Sequence, residues 1–297
     1  MRIINVSHIT RYRYARPVAF GEHRMMFRPR EGAYLRILQT SLKIEPAPVR
    51  TWFLQDMFGN HIGAARFEGR SRTLRFENRF TVEQHPDEAA PDADETFPGP
   101  ALRFVYPEEE AADLARSIAC PELSSEVLRW ADHFRPANHP GLVLETLTSL
   151  SQAIAEDFAY ERRLYDSARP AAETLALRSG SCRDFAVLMI DACRGLGLAA
   201  RFASGYLATE RGLGGGHTHA WVQVFLPSCG WIDFDPTNGF VGREHLIAVA
   251  VTVEASQATP LHGSWFGRPG DFLSMDVQVD ITSETKPGRS LSLAAAG

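Results

Sequence analysis

The chain has 297 residues, of which 44% are hydrophobic, and a formal net charge of −5. A chain of this length and composition can bury one large hydrophobic core or two moderate ones. The negative charge and the absence of a polybasic run argue against nucleic acid or an anionic membrane as the main partner.

The sequence predicts neither a membrane span nor a secretion signal. No stretch is long and apolar enough to cross a bilayer, and the first residues lack the apolar segment of a signal peptide. The 4 cysteines are too few and too scattered for a disulfide framework. Cys182 and Cys193 fall on one predicted helix, about 16 Å apart, which is too far for a disulfide. We therefore expect a protein of the reducing cytoplasm.

Residues 1–86 show the alternation of apolar and polar residues that is typical of β-strands. The pattern is clear in residues 6–14 and recurs in shorter runs at 35–44, 51–57, 61–67 and 73–82. Turn signals at Phe58-Gly59-Asn60 and Gly69 separate these runs. We predict an all-β, sandwich-like N-terminal domain that contacts either a partner protein or the catalytic domain. Five arginines between residues 66 and 79 are interpreted as solvated strand edges rather than as a patch for an acidic partner.

The remainder of the chain changes to helical periodicity. Residues 87–100 are rich in Pro, Asp and Glu, so we interpret them as a linker or an exposed loop. Apolar stripes from Glu108 onward predict helices before residue 160. Strands are expected at residues 246–253 and 272–281, joined by a long loop, with a loosely held tail after them. Residues 101–297 are thus a second domain, with helices packed on an antiparallel sheet, and the chain is α+β.

A further helix is predicted to begin at Cys182. Ser181 is a favourable N-cap residue, and Asp184 three positions later makes a variant of the capping box. The apolar residues that follow have helical spacing: Phe185, Leu188, Met189, Ala192 and Leu196. Cys182 therefore occupies the first helical position, where unpaired amides and the helix dipole favour an anion and lower the pKa of a thiol.

Two antiparallel strands are predicted between residues 219 and 235. His219 opens the first strand and Asp235 closes the second, with a turn near residues 227–230. A two-residue turn would direct the two side chains to opposite faces of the sheet, so they can meet only if the turn has an odd number of residues or a β-bulge intervenes. By spacing alone, Cys182 is as well explained as a small buried hydrophobe, His219 as a core residue and Asp235 as a turn initiator.

Four segments taken together resemble the bacterial transglutaminase-like superfamily: G-S-C-R-D-F-A, C-R-G-L-G-L-A-A-R-F-A-S-G-Y-L, H-A-W-V-Q-V and G-W-I-D-F-D-P-T-N-G. The opening V-S-H-I-T-R-Y-R-Y is similar to the N-terminal β domain of that family, and F-A-Y at residues 158–160 is similar to an aromatic pair in it. The resemblance implies a papain-like core with Cys182 as nucleophile, His219 as general acid and base, and Asp235 as the group that orients the imidazole. Arg183 stands where the family commonly has Gln, which leaves substrate preference open.

The resemblance implies acyl transfer on a peptide or protein substrate without a cofactor. Attack of the Cys182 thiolate on an amide gives a thioester, which either water or an amine can resolve. We expect hydrolysis, as in a cysteine protease or amidase, with transfer to an amine as the alternative. The Cys182 amide is one expected oxyanion donor, and the sequence identifies no second one. A non-catalytic binding module is a further alternative, against which the intact Cys, His and Asp argue.

Two other motifs are candidate binding sites. His217 and His219 have the alternate spacing of a metal-ligand pair, but no Cys or Asp/Glu set completes a zinc site, so we expect no metal. His217 is instead interpreted as a loop residue near the cleft. The glycine-rich residues 212–216 lack the Lys-Ser/Thr of a phosphate-binding loop and are interpreted as a mobile loop beside the cleft.

Overall fold

The computed structural model describes residues 1–85, 93–98, 102–135, 142–163, 167–208 and 218–285. Its strands are β1 (Arg2–Met25), β2 (Leu35–Glu45), β3 (Arg50–Gln55), β4 (His61–Arg66), β5 (Ser71–Gln84), β6 (Ala159–Tyr160), β7 (Ser179–Gly180), β8 (Ala200–Leu207), β9 (Thr218–Leu226), β10 (Gly230–Asp235), β11 (Phe240–Val241), β12 (Leu246–Thr252), β13 (Leu261–Phe266) and β14 (Phe272–Thr285). Its helices are α1 (Glu108–Ile118), α2 (Ser125–Asp132), α3 (Val143–Asp157), α4 (Ala171–Leu177) and α5 (Cys182–Gly195), with a short 3₁₀ helix at Ala255–Ala258. None of these helices is long and apolar enough to span a membrane.

The N-terminal sheet is built around β1, which has 24 residues. The first part of β1 pairs with β5 and β14, and its last part pairs with β4 and β13. The register shifts between Arg13 and Val18, where Pro17 has no amide hydrogen to donate to a neighbouring strand. The sheet therefore curls around a core that includes Tyr14 and Phe76. The predicted sandwich is in fact one curled sheet, whose two halves share β1.

Two C-terminal strands complete this N-terminal sheet. The apolar pattern predicted a loop of the second domain at residues 261–266, whereas P-L-H-G-S-W-F-G is similar to a closing strand of the transglutaminase-like family. These residues form β13 and pair with β1. Most side chains of β13 are exposed, so the sequence there lacks the apolar alternation that indicates a strand. β14 continues to Thr285, so residues 283–285 of the predicted tail are strand. The remainder of that tail lies outside the described residues.

The helical part of the chain packs on the second sheet. Its strand order is β11-β10-β9-β8-β12, and α5 packs against β8 and β9. The predicted stripe on α5 is buried, with Leu188 and Met189 in the same core as Val222 and Val224. Helices α2, α3 and α4 contact α5 in turn. This mixed α and β architecture, with helices on one sheet beside a second sheet, agrees with the predicted class.

The segment predicted as a linker is packed where the structure describes it. Residues 93–98 include Phe97, which is 2% exposed, and the Val143 amide donates a hydrogen bond to the Glu95 carbonyl at 2.9 Å. Ala93 and Phe97 are buried apolar residues in a segment that is mostly polar and acidic. The average composition of the segment therefore did not predict that it packs. Residues 87–92 and 99–100 lie outside the described residues.

The two sheets are joined by buried polar contacts. His8 on β1 and the Tyr206 hydroxyl on β8 are hydrogen-bonded at 2.9 Å, and the Arg30 amide donates to the Ala248 carbonyl at 2.8 Å. Burial lowers the pKa of His8 to about 4, so this imidazole is neutral near pH 7. These contacts fix β1 of the first sheet beside β8 of the second.

Candidate active site

The turn before α5 is held by one buried carboxylate. Asp184 Oδ2 accepts hydrogen bonds from the Ser181 amide at 2.7 Å and from the Ser181 hydroxyl at 2.8 Å, so the predicted capping box is confirmed. Asp184 Oδ1 accepts from the Arg169 amide at 2.7 Å and from Arg163 Nη2 at 3.2 Å. A Cβ atom at Gly180 would lie 2.8 Å from the Asp184 Cβ, which explains the glycine in G-S-C. Asp184 therefore fixes both the start of α5 and the segment that precedes α4.

The β9–β10 hairpin brings His219 and Asp235 together. Leu226 pairs with Gly230, so the turn between the strands has three residues, 227–229. The prediction that an odd number is required if the two residues interact is confirmed. His219 Nε2 donates to Asp235 Oδ2 at 2.9 Å, and both side chains are fully buried. The carboxylate thus fixes the orientation of the ring.

Asp235 is itself held by the turn that follows it. Its Oδ1 accepts from the Thr237 amide at 3.0 Å, and its Oδ2 accepts from Asn238 Nδ2 at 2.7 Å. Asn238 is a site residue that the sequence analysis quoted within D-P-T-N-G but did not single out. An Asp whose side chain binds backbone two residues later is the signature of an Asx turn, and this signal was present in the sequence.

Cys182 is half-buried beside the imidazole. The second ring nitrogen of His219, Nδ1, is buried and is not used by Asp235, so it remains for the thiol. Burial raises the pKa of the Cys182 thiol, but His219, the Ala220 amide and the Arg183 charge lower it more, and the net shift is downward. Burial lowers the pKa of His219, whereas Asp235 and Cys182 raise it, to about 10. Near pH 7 the arrangement therefore favours a thiolate–imidazolium pair.

Tyr160 is a further side chain at the sulfur. β6 pairs in parallel with β7, which leads directly into α5, and this pairing sets Tyr160 beside Cys182. Burial and the neighbouring thiol raise the pKa of Tyr160 to about 12, so the phenol stays protonated and can donate a hydrogen bond near pH 7. Tyr160 belongs to the F-A-Y segment that is similar to an aromatic pair of the family, but its position beside the thiol does not follow from the sequence.

A cavity of about 950 Å³ opens at these residues. It lies between the two sheets, since its walls include Thr10 and Val277 of the N-terminal sheet as well as Cys182 and His219. The basic residues in its lining are Arg162, Arg163, Arg169, Arg183 and Arg194, and the acidic ones are Glu122, Asp191 and Glu254. A cavity of this size holds a peptide segment or a small molecule.

The alternative metal site is outside what the structure describes. His217 and the glycine-rich residues 212–216 do not belong to the described ranges, so their roles near the cleft stay predictions. Among the residues that are described, no group of three or more His, Cys, Asp or Glu side chains is arranged to hold a metal ion.

Comparison with known families covers both sheets. Residues 129–236 match the transglutaminase-like superfamily, and residues 4–83 match the bacterial transglutaminase-like N-terminal region. An uncharacterised protein of Mycobacterium tuberculosis is 31% identical over 293 residues, which cover 93% of this chain and 91% of that relative. A shorter match of 67 residues, 36% identical, links 20% of the chain to 10% of a protein-glutamine gamma-glutamyltransferase of Pseudomonas aeruginosa.

A solved structure has the same fold over nearly the whole chain. It belongs to a protein of Cytophaga hutchinsonii that was described as a candidate cysteine protease. The TM-score is 0.72 at 20% identity, with 97% of this chain and 92% of that chain covered. The association of the curled sheet with the helix-flanked sheet is therefore shared with that protein.

Alkylation by iodoacetamide tests the thiolate–imidazolium pair. We expect rapid labelling of Cys182 to persist down to about pH 6, because the imidazolium keeps the thiol ionised below the ordinary thiol pKa near 8.5. As pH rises through about 10, His219 loses its proton and the pair is lost. Peptide mass spectrometry follows each cysteine, with Cys229 as the reference thiol in the same sample. In His219→Ala the rate at pH 6 should fall at least about tenfold; labelling of Cys182 that parallels Cys229 at every pH would contradict the pair.

Replacement of the buried carboxylate tests its structural role. Asp184→Ala leaves the Arg163 guanidinium and the Ser181 amide without their acceptor, so the free energy of unfolding should fall by about 3 kcal/mol. Chemical denaturation measures this change. The matched control is Asp157→Ala, since Asp157 pairs with Arg178 at 3.8 Å and both side chains are largely exposed. The control should lose less than about 0.5 kcal/mol, and similar losses in the two variants would show that Asp184 has no special role.

Proposed function

We infer that this chain, which belongs to the transglutaminase-like superfamily, is a cysteine hydrolase that cleaves a peptide or amide bond through Cys182, His219 and Asp235. The observation that carries this inference is the fully buried His219–Asp235 hydrogen bond, with the free side of the ring turned to the thiol of Cys182. The cavity at the sulfur gives a substrate access to it.

The chemistry follows from the protonation states. The Cys182 thiolate attacks the carbonyl carbon of the scissile amide, and the C–N bond breaks as the His219 imidazolium gives its proton to the departing amine. A thioester on Cys182 and a neutral imidazole remain. Water then attacks the thioester while His219 takes up its proton, and the acid product leaves as the thiolate is restored. Atoms and charges balance over the two half-reactions.

Two donors converge on the developing oxyanion. The Cys182 amide lies in the first turn of α5, where backbone N–H groups have no acceptor within the helix. The Tyr160 hydroxyl approaches the sulfur from β6 and supplies the second donor that the sequence could not identify. Donors that are fixed before the reaction stabilise the charge without reorganisation at the transition state.

Asp235 and Asn238 position the base and do not react. Asp235 fixes the ring through Nε2, which leaves Nδ1 as the nitrogen that exchanges a proton with the substrate. Asn238 holds the carboxylate in that geometry. The charge of Asp235 also stabilises the imidazolium that the first half-reaction requires.

Transfer of the acyl group to an amine is the second candidate. The partial match to a protein-glutamine gamma-glutamyltransferase supports it. The two candidates share every step up to the thioester and differ only in the nucleophile that resolves it.

The nucleophile is tested with Cys182→Ala. We expect this variant to lose all turnover while its thermal midpoint stays within about 2 °C of the parent, because the sulfur is only half-buried. New termini in a peptide library, detected by mass spectrometry, measure hydrolysis, and incorporation of a fluorescent primary amine measures transfer. Incorporation that exceeds hydrolysis would favour the second candidate. Equal product formation by Cys182→Ala and the parent would contradict both.

The oxyanion donor is tested with Tyr160→Phe. Loss of one preorganised donor should lower kcat by about 10- to 100-fold with little change in KM. Alkylation of Cys182 by iodoacetamide forms no oxyanion, so its rate should change much less. Tyr14→Phe is the matched control, since Tyr14 is a buried tyrosine of the N-terminal core. Equal losses in kcat and in alkylation would show that Tyr160 only packs against the thiol.

A further inference from the structure

Arg183 directly follows the nucleophile and lines the cavity. It is half-buried, and its Nη2 donates to the Arg163 carbonyl at 2.8 Å. In the described part of the chain no carboxylate lies within salt-bridge distance of its guanidinium. One neutral acceptor satisfies only a small part of a group that has five N–H donors.

Three of the other arginines in the cavity lining are paired with carboxylates of this chain. Arg163 is paired with the buried Asp184 at 3.2 Å, and Arg169 is paired with Glu161 at 3.1 Å. Arg194, farther along α5, is paired with Glu254 at 3.4 Å. Among the described residues the charge of Arg183 has no such partner, so its field extends into the cavity.

This field reaches the reacting atoms. The charge of Arg183 lowers the pKa of the Cys182 thiol and that of the Tyr160 phenol. The thiol and the phenol lie beside each other. The N-terminus of α5 adds positive potential at the same place. The acidic lining residues include Asp191, which lies more than two turns along α5 from Cys182.

We propose that the acyl donor carries a carboxylate that binds the guanidinium of Arg183, so that the site selects acidic peptide segments. A planar guanidinium binds a carboxylate through two parallel hydrogen bonds, which gives orientation as well as attraction. The inference rests on the proposed function in one respect: Cys182 must be the atom that reacts.

Two alkylating reagents test this proposal without a known substrate. Iodoacetate and iodoacetamide form the same S–C bond with loss of iodide, but one has a carboxylate where the other has an amide. Both rates scale with the thiolate fraction of Cys182, so their ratio cancels the effect of Arg183 on the thiol pKa. The ratio is measured at about pH 7 and divided by the ratio for free N-acetylcysteine.

The normalised ratio should fall about fivefold in Arg183→Gln, as expected for one partly exposed charge pair. Arg183→Lys should retain part of the preference, and 0.5 M salt should reduce it in the parent. Arg36→Gln is the matched control, because Arg36 is exposed on β2 far from the cavity, and it should leave the ratio unchanged. The His219 imidazolium is present in all these proteins, so its attraction for iodoacetate is common to them.

The outcomes separate this proposal from the proposed function. Equal ratios in the parent and Arg183→Gln, with Cys182 still reactive at about pH 6, would overturn the role of Arg183 and leave the hydrolase proposal standing. A Cys182 that is unreactive near neutral pH would overturn the hydrolase proposal and this one with it. A lowered ratio in Arg183→Gln alone supports the proposal, and matched Glu and Gln peptides would then extend it to turnover.

Discussion

The hydrogen bond between His219 and Asp235 is the interaction on which the site depends. Two charged groups are removed from water there, which is unfavourable unless each is fully hydrogen-bonded. The chain meets this condition for the carboxylate, since Thr237 and Asn238 supply its other donors. A buried carboxylate with fixed donors raises the proton affinity of the ring, and the ring in turn makes the neighbouring thiolate stable. The lowered pKa of the Cys182 thiol therefore depends on a hairpin that lies about forty residues later in the sequence.

Three separate backbone features place the side chains of this site. The three-residue turn sets the register of β9 and β10, the capping box sets the direction of α5, and the short β6–β7 pairing sets the position of Tyr160. Each feature is stabilised by its own hydrogen bonds rather than by the reacting groups. The geometry of the site is thus preorganised, which is the condition for electrostatic stabilisation of a transition state.

Features that depend on local sequence patterns could be predicted. Features that depend on pairing between distant segments could not. The start of α5 follows from Ser181, Asp184 and an apolar stripe, all within residues 181–196. The requirement for an odd turn follows from strand periodicity, although its length could not be read from residues 227–229. The pairing of β13 with β1, the curl at Pro17 and the packing of residues 93–98 were missed, because they depend on partners more than forty residues away. The approach of Tyr160 to Cys182 was missed for a similar reason, since it needs the β6–β7 pairing.

The position of β14 affects the order in which parts of the protein can fold during synthesis. β1 pairs on one side with β5 and on the other with β14, so β1 is synthesised long before the second of its partners. Until then β1 has an open edge, and the cavity wall that contains Met275 and Val277 is absent. A nascent chain that has already formed α5 and the β9–β10 hairpin thus carries Cys182 and His219 before the cavity beside them is enclosed. Enclosure of the cavity therefore depends on the synthesis of β14.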